Sequence, residues 1–414
     1  MNREDFIALL SPEGQQLLAR VEYDSKTDLV KLVSGLRAEG FDPALVAAVL
    51  SQAKLRRRAT AKFGEFAERM LFTEPGLEQA SRLSLAALHA GRFKNAGIKT
   101  VGDLGCGIGT ESLAFASVDL DVTAYDLDEV TAAVATYNLN IFDNATVEQS
   151  DVTTLDTAGF DAVFFDPARR ELNGPKGERA SRKFDPAQFA PNFDWVVEHC
   201  RQHVAGKADG PRAAGIKLGP GHPHEAIDDE AEAQWVSVNG DLVELGLWFG
   251  AAARPNIKRA ALLIDAAGKH HEITSDSATR LDAPYGELGE FVYEPDNAII
   301  RSHLLGQLAN TLGLHIFANE IAYLTSEPGN ASPIFSPWLK GYRVLDNLAF
   351  DRKKLKAYLR ERNIGTLEIK KRGSDVVPEQ LRKEMALKGK GAATLIVTRV
   401  GDAHRVLVAE PLVA

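Results

Sequence analysis

Cysteine is scarce in this sequence, which has 414 residues and only Cys106 and Cys200. Two cysteines give neither a disulfide framework nor a cluster of metal ligands. No apolar run approaches the roughly 20 residues that a membrane-spanning helix needs. The first residues, Met1 to Asp5, are acidic and helical in pattern, unlike a secretory signal. We therefore expect a cytoplasmic enzyme that binds neither a membrane nor a metal, and the oligomeric state stays open.

Charge is distributed unevenly along the chain. The apolar content of 45% and the charged content of 25% are ordinary for a globular protein, and the length predicts two or three domains. The formal net charge is -9, yet residues 340–414 carry 17 Lys and Arg against 9 Asp and Glu. This pattern fits a basic module that meets a polyanion. It fits equally well a set of surface lysines that only keeps helices soluble.

The first half of the chain is predicted to contain a helical region followed by a parallel sheet. Residues 1–90 have helical patterns, with helix starts at Ser11-Pro12 and Asp42-Pro43. From about residue 98, strands and helices alternate, which predicts a parallel sheet with right-handed crossovers. The predicted strands cover residues 100–104, 122–125, 146–149, 160–165 and 213–218.

The second half is predicted to end the sheet and then form a small module. Strands at 242–249 and 260–264 are expected to make an antiparallel edge hairpin, so the core extends over 91–268. Residues 269–335 form a mixed connecting segment with a helix near 298–312. Residues 336–414 are predicted to form a small basic α+β domain. Its elements are helices at 353–362 and 378–387 and strands at 366–370, 393–398 and 405–409.

Three glycines follow the first predicted strand, in Asp103-Leu-Gly-Cys-Gly-Ile-Gly109. Gly105, Gly107 and Gly109 allow a sharp turn and a close approach of the backbone to a ligand, and the next helix directs free N–H groups at it. The dinucleotide fingerprint is G-x-G-x-x-G and holds a pyrophosphate. The spacing here favours S-adenosylmethionine, whose amino acid end Asp103 can help to hold. A dehydrogenase remains the alternative.

Two further acids end neighbouring strands, where a nucleoside would need them. Asp126 ends the second predicted strand and can accept hydrogen bonds from two ribose hydroxyls. Asp151 follows the third strand and can reach an adenine amine. Each acid alone is also explained by a loop or cap role. Together with the glycine turn, we interpret both as binding the cofactor.

Asp166 and Pro167 leave the fourth predicted strand, at the sheet edge where ligands bind. A carboxylate there can orient an amine toward the sulfonium methyl, and such positioning can supply most of the catalysis. Pro167 stiffens the turn. Methylation at C5 of a pyrimidine normally needs a thiolate nucleophile, and neither cysteine is in this motif. Direct in-line transfer to a nitrogen, or to an oxygen, is therefore favoured.

Basic residues follow this motif in a glycine-containing loop and suit a phosphate-bearing substrate. A solvated loop is the alternative explanation. The candidates for substrate contacts in this loop are Arg169, Arg170 and Arg179. A second candidate phosphate contact is the basic turn Lys370-Lys371-Arg372.

These motifs resemble those of class I S-adenosylmethionine-dependent methyltransferases over residues 65–268. The resemblance implies a Rossmann-like α/β core, and it identifies Asp103 to Gly109 with the first motif of that class and Asp126 with its ribose-binding acid. Asp166-Pro-Ala-Arg169 resembles the fourth motif of nucleic-acid amino methyltransferases, Asp/Asn-Pro-Pro-aromatic. Here Ala168 replaces the second proline and Arg169 replaces the aromatic that stacks on a flipped base.

The full layout also resembles a bacterial group with a helical N-terminus, a methyltransferase core and a C-terminal THUMP-like domain. That resemblance implies RNA, with tRNA as one class, as the substrate. The leading hypothesis is thus an RNA methyltransferase. The alternatives are a small-molecule methyltransferase and a non-catalytic RNA-binding protein that keeps the cofactor pocket. The residues that carry the resemblance are Leu71-Phe-Thr-Glu-Pro75, Asp166-Pro-Ala-Arg-Arg170, Lys217-Leu-Gly-Pro-Gly221, Glu294-Pro-Asp296 with Arg301, and Ile369-Lys-Lys-Arg-Gly373.

Overall fold

The computed structural model describes residues 1–24, 26–169, 189–206 and 210–413, so Arg170 and Arg179 lie outside the described residues. The chain divides into two compact units. The first unit comprises Met1–Leu218, His222–Ala231 and Leu247–Arg254. The second unit comprises Gly219–Gly221, Glu232–Gly246 and Pro255–Ala414. The predicted division into four parts at 90, 268 and 335 stays a prediction.

The N-terminal region is helical, as predicted. Ser11 caps its second helix through Gly14 N, and Asp42 caps the longest helix through Ala44 N and Leu45 N, each with a proline at the first helical turn. Its helices are α1 (Arg3–Leu10), α2 (Pro12–Arg20), α3 (Leu29–Ala38), α4 (Pro43–Phe63), α5 (Glu74–Gln79) and α6 (Leu83–Asn95).

One apolar cluster joins this helical region to the part of the first unit that contains the glycine turn. It includes Val49 and Phe63 of α4, the buried residue Phe72, and Ile108 from the glycine turn. Buried apolar contact is the main stabilising term in such packing. The N-terminal helices are therefore part of the wall around the glycine turn.

A parallel sheet of five strands forms the centre of the first unit, in the order β7-β4-β1-β2-β3, which confirms the predicted parallel sheet. All four residues of β4 are buried, as expected for a central strand covered on both faces. Its strands are β1 (Thr100–Leu104), β2 (Asp121–Asp126), β3 (Ala145–Gln149), β4 (Ala162–Phe165) and β7 (Ala213–Leu218).

The connecting elements follow the strand–helix alternation. Between β4 and β7 lie two short antiparallel strands, which pair Ala168 with Ala190, and a helix. Since all five central strands are parallel, their carboxyl ends meet at one edge, where ligands of open α/β sheets bind. The remaining elements are α7 (Thr110–Ser117), α8 (Glu129–Leu139), β5 (Ala168–Arg169), β6 (Phe189–Ala190) and α9 (Phe193–Ala205).

The predicted edge hairpin is wrong. Strand β10 (Arg259–Ile264) pairs in parallel with β8 (Glu232–Val238) and antiparallel with β11 (His270–Ser275), whereas β9 (Asp241–Gly250) is not its partner. The hairpin thus forms one strand later than predicted. Strand β11 is polar, His-His-Glu-Ile-Thr-Ser, so its sequence lacks the apolar signal of a strand.

A seven-stranded sheet completes the second unit, in the order β13-β14-β12-β15-β18-β17-β16. The predicted C-terminal helices and strands are all present, and the predicted helix near 298–312 is two short helices. The elements are β12 (Phe291–Pro295), α10 (Asn297–Arg301), α11 (Leu305–Leu312), β13 (His315–Ile316), β14 (Leu324–Thr325), β15 (Leu339–Ala349), α12 (Arg352–Glu361), β16 (Ile364–Lys371), α13 (Pro378–Met385), β17 (Gly391–Val400) and β18 (Ala403–Pro411).

None of the helices in the described part of the chain combines the length and the apolar character needed to cross a membrane.

Candidate active site

A cavity of about 630 Å³ opens at the carboxyl edge of the central strands in the first unit. Its volume lies in the range of small-molecule sites. The four acids that the sequence singled out, Asp103, Asp126, Asp151 and Asp166, all line it, and so do Gly105 and Gly107. The parallel sheet thus brings together residues that are up to 63 positions apart in the chain.

The glycine turn joins β1 to α7 through left-handed backbone. Gly105 has φ of 100° and Gly109 has φ of 84°, conformations that glycine adopts at little cost. The amides of Gly105 and Cys106 both donate to Tyr125 O at 2.9 Å, which ties the turn to β2. The first helical residue is Thr110. Its hydroxyl is buried, has no hydrogen-bond partner among the described residues, and belongs to a residue that lines the cavity.

Asp103 is buried at the end of β1, with only 1% of its surface exposed. Ser112 Oγ donates to Asp103 Oδ2 at 2.5 Å. Burial raises the pKa of Asp103 to about 7, although the Ser112 hydrogen bond acts in the opposite direction. The group therefore changes its charge in the neutral range.

Glu111 is a cavity residue that the sequence analysis missed. It is buried in the first turn of α7, where Ser81 Oγ donates to Oε1 at 2.7 Å and His89 Nδ1 lies 2.9 Å from Oε2. Burial alone would raise the pKa of Glu111, but the charge and hydrogen bond of His89 outweigh it and the pKa is lowered. The contacts come from α6 and the segment before it, so no local motif signals them.

Asp126 ends β2 beside the glycine turn. Gly107 N donates to its Oδ2 at 3.1 Å, and Asp128 N donates to its Oδ1 at 2.9 Å. Burial raises the pKa of Asp126, and these backbone donors partly offset that rise. The side chain is thus held in a fixed direction on the cavity wall.

Asp151 lies after β3 and caps the short 3-10 turn Val152–Thr154. Its Oδ1 accepts from Thr153 Oγ1 at 2.7 Å and from Thr153 N at 2.9 Å, and these bonds lower the pKa of Asp151. The cap role and the position on the cavity wall therefore coexist in one residue.

Asp166 follows β4, and Lys217 Nζ from β7 lies 2.5 Å from its Oδ2. Only 11% of the Lys217 side chain and 34% of the Asp166 side chain are exposed. The sequence showed Lys217 only as part of a family motif and gave it no role. The pairing joins residues 51 positions apart, so only the strand order β7-β4 reveals it. Pro167, the next residue, is buried.

An aromatic side chain, Trp195 of α9, forms another part of the cavity wall with Pro191 and Asn192. Its ring stacks on His199, with centroids 4.9 Å apart and planes 28° apart, and meets Phe165 edge-on at 6.1 Å. These contacts hold the indole next to the end of β4.

Neither cysteine is arranged as a nucleophile. Cys106 lines the cavity, but burial raises the pKa of its thiol well above the ordinary value. Burial also raises the pKa of Cys200, which lies in α9. Both thiols are therefore neutral near pH 7, and a thiolate is the nucleophilic form.

The predicted substrate contacts lie in different parts of the chain. Arg169 belongs to the short strand β5, whereas Arg170 and Arg179 lie outside the described residues. In the second unit, Lys370 Nζ lies 2.7 Å from Glu294 Oε2 and only 17% of its side chain is exposed. Arg372 lies over the Tyr323 ring at 5.3 Å. Lys371 is exposed at the end of β16.

Comparisons with known proteins agree with this geometry. Proteins of Mycobacterium tuberculosis strains CDC 1551 and H37Rv, both named S-adenosylmethionine-dependent methyltransferase, are 31% identical to the chain over 357 residues. The alignment covers 84% of this chain and 91% of each relative. A family model described as THUMP domain-like matches residues 339–411, and another, described as a domain of unknown function, matches residues 2–59.

The fold is shared with a solved methyltransferase structure from Porphyromonas gingivalis W83. The two superpose with a TM-score of 0.69 at 19% identity, over 94% of this chain and 99% of that one. The identity to the Mycobacterium tuberculosis proteins, over most of both chains, shows the family. The chain belongs to the S-adenosylmethionine-dependent methyltransferases, with a Rossmann-like core, a THUMP-like C-terminal domain and S-adenosylmethionine as its cofactor.

Proposed function

We propose that this methyltransferase transfers the methyl group directly to a nitrogen of RNA, with tRNA as the first RNA class to test. The observation that carries the proposal is Asp166, an acid on the wall of the cofactor cavity at the end of β4 and in contact with Lys217. A carboxylate in this place can accept a hydrogen bond from an N–H group of the acceptor and align it for in-line attack.

In this proposal, the cavity residues bind the two ends of the cofactor. Asp126 accepts hydrogen bonds from the ribose hydroxyls, and Asp151 accepts one from the adenine amine. Asp103 binds the ammonium of the methionine end, whose carboxylate meets the N-terminus of α7 and the Thr110 hydroxyl. The unpartnered, buried Thr110 hydroxyl supports this fit, because a buried polar group without a partner is costly until a ligand satisfies it.

S-adenosylmethionine supplies an electrophilic methyl group on a sulfonium. When it is bound, the lone pair of the acceptor nitrogen would form a bond to the methyl carbon, and the electron pair of the carbon–sulfur bond would go to sulfur. The nitrogen then loses one proton to Asp166, which passes it to water. The neutral thiols of Cys106 and Cys200 support a direct transfer over a covalent enzyme–base intermediate.

The support for RNA comes from the C-terminal domain. Residues 339–411 match the THUMP domain-like model, and residues 340–414 carry 17 Lys and Arg against 9 Asp and Glu. Excess positive charge is what phosphate contacts require. In this proposal Lys371 is a phosphate contact, whereas Lys370 and Arg372 act mainly through Glu294 and Tyr323. Arg169, Arg170 and Arg179 remain proposed contacts next to the acceptor.

The test is transfer of a radiolabelled methyl group from S-adenosylmethionine to RNA taken from cells that lack this enzyme. We expect label in RNA with the wild type and a loss of at least about 100-fold with Asp166→Ala. The matched control is Asp143→Ala, at an exposed acid outside the cavity. Label that enters small molecules instead, and still does so after removal of residues 340–414, would favour a small-molecule methyltransferase. Binding of RNA without any transfer would favour a non-catalytic protein.

A further inference from the structure

Lys217 is a cation placed on a rigid strand and largely removed from solvent. Its side chain is 11% exposed, and its Nζ lies 2.5 Å from Asp166 Oδ2. A charged lysine in such a place is costly unless an opposite charge compensates it. Lys217 lies in β7 and Asp166 directly follows the neighbouring strand β4, so the pairing of these two strands brings the ion pair together.

Several charged groups from different elements surround this lysine. In addition to contacting Asp166, Lys217 carries a charge that acts to lower the pKa of Asp103 in β1 and of Glu111 in α7. Lys62 of α4 is a nearby cation, whose Nζ donates to Leu77 O, Glu78 O and Ala80 O at 2.7 to 2.9 Å. Lys62 thus bonds to the end of α5, whereas Lys217 contacts Asp166 directly.

We propose that Lys217 is a positioning residue for methyl transfer: its ion pair fixes the direction in which the Asp166 carboxylate meets the acceptor. This inference rests on the proposed function, in which Asp166 touches the acceptor nitrogen. In this role Lys217 acts by its position beside Asp166 and takes no part in the transfer of the proton. A bond of 2.5 Å to one carboxylate oxygen restricts rotation of that planar group. A misplacement of about 1 Å at a reacting centre can cost about 100-fold in rate.

Kinetic measurements on three variants test this role. Lys217→Met keeps the length of the side chain and removes the charge, Lys217→Arg keeps the charge, and Lys99→Met changes an exposed lysine outside the cavity. For Lys217→Met we expect kcat to fall about 100-fold, while KM for RNA and the Kd of S-adenosylmethionine by calorimetry stay within about threefold. Lys217→Arg should recover most of kcat, and Lys99→Met should match the wild type. A Lys217→Met variant with unchanged kcat would overturn the proposal.

A double variant separates action through Asp166 from an independent effect. If Lys217 acts through Asp166, then Lys217→Met combined with Asp166→Ala should be as slow as Asp166→Ala alone. A further loss as large as that of Lys217→Met by itself would contradict the proposal, because it would mean that the lysine works by another route.

A structural measurement keeps the inference separate from the identity of the substrate. Crystal structures with bound S-adenosylhomocysteine should show the Asp166 carboxylate turned away in Lys217→Met and retained in Lys217→Arg. An unmoved carboxylate in Lys217→Met would overturn the positioning role, whether or not RNA is methylated. A wild type that methylates no RNA while Asp166 moves as expected would reject the proposed substrate and leave the role of Lys217 supported.

Discussion

Four aspartates share one cavity wall, yet the local surroundings of each carboxylate differ. Asp103 is buried with a single hydroxyl donor, Asp126 accepts from two backbone amides, and Asp151 accepts from Thr153. Asp166 instead meets a cation. The surroundings of each carboxylate thus differ, although the chemical group is the same. Such differences within one site commonly accompany different functional roles.

Asp103 makes stability depend on pH in a direction that can be measured. Its pKa is about 7 in the folded protein, against 3.8 for an ordinary aspartate, so the folded state binds more protons between these values. The contribution of the Asp103 carboxyl to the free energy of unfolding is therefore complete below pH about 4 and is lost as pH rises through 7. Asp103→Asn stays neutral throughout, so its stability relative to the wild type should rise over this window, by at most about 4 kcal/mol.

Urea unfolding at pH 4, 5.5, 7 and 8 measures this difference. Asp143→Asn, at an exposed acid, serves as the control and should show no such trend. A constant difference between Asp103→Asn and the wild type across these pH values would mean that folding does not raise the pKa of Asp103.

Asp126 should affect the cofactor more than the fold. Asp126→Asn keeps the shape of the side chain but removes the charge that the ribose hydroxyls are proposed to meet. Hydrogen bonds to charged groups contribute about 1.5–3 kcal/mol, so the Kd of S-adenosylmethionine should rise about 10- to 100-fold. Calorimetry measures the change, with Asp143→Asn as the matched control. An unchanged Kd would remove Asp126 from the cofactor site.

The sequence predicted the acids of this site but not their partners. Asp103, Asp126 and Asp166 are each at or just after the end of a strand, and a parallel sheet gathers strand ends at one edge. Lys217 contacts Asp166, which lies 51 residues away in the chain, and His89 contacts Glu111, which lies 22 residues away. Such contacts depend on strand order and helix packing, which the local pattern of residues does not contain.

Among the elements, the segment before α5 is attached to the glycine turn by one buried side chain. Asn138 of α8 accepts from Leu71 N at 2.8 Å and donates to Leu71 O at 3.0 Å and to Ile108 O at 2.9 Å. Gln52 of α4 holds the next residue, Phe72, through both its N–H and its carbonyl. Helix α4 is therefore linked to the glycine turn through the segment before α5 and Asn138.

Asn138→Leu should weaken both the fold and cofactor binding. It removes three hydrogen bonds and leaves buried backbone groups without partners, which should lower the free energy of unfolding by about 2–4 kcal/mol. Because Ile108 is part of the glycine turn, the Kd of S-adenosylmethionine should rise as well. Asn144→Leu is the matched control, since Asn144 bonds to Ala116 O and Leu120 O away from the cavity. It should destabilise the protein without changing the Kd, and equal effects of both variants on the Kd would contradict this coupling.

The sequence predicted elements well where they were apolar and poorly where they were polar. The central strand Ala213–Leu218 has the bounds that were predicted, because it is an apolar run between turn signals. Strand β15 was missed, since Leu339–Ala349 mixes charged and apolar residues and half of it is exposed. The edge hairpin was placed one strand early for the same reason, because the polar β11 gives no strand signal.

At the scale of the whole chain, the acidic and basic parts belong to different stretches of sequence. The basic residues of the C-terminal domain are concentrated on its two helices and the segment after α13. Some of them serve the domain itself, as Arg352 does in its bond to Glu384 Oε2 at 2.6 Å. Others, such as Lys353, Lys354 and Lys383, are exposed. Among the described residues, the side chains of these three lysines make no hydrogen bond or ion pair that a phosphate contact would have to break.

Replacing Lys353, Lys354 and Lys383 with alanine should weaken RNA binding without weakening cofactor binding. Each lost phosphate contact should reduce the slope of log affinity against log salt by about 0.7–0.9, so the slope for the triple variant should fall by up to about 2–3. Fluorescence anisotropy with labelled tRNA over a salt series measures that slope, and calorimetry should give an unchanged Kd for S-adenosylmethionine. The matched control replaces Lys54, Lys94 and Lys99, which are exposed in the first unit. Equal losses of slope in both variants would mean that RNA affinity depends only on the net charge of the protein. A surface that binds phosphates at defined places should instead depend on where its lysines lie.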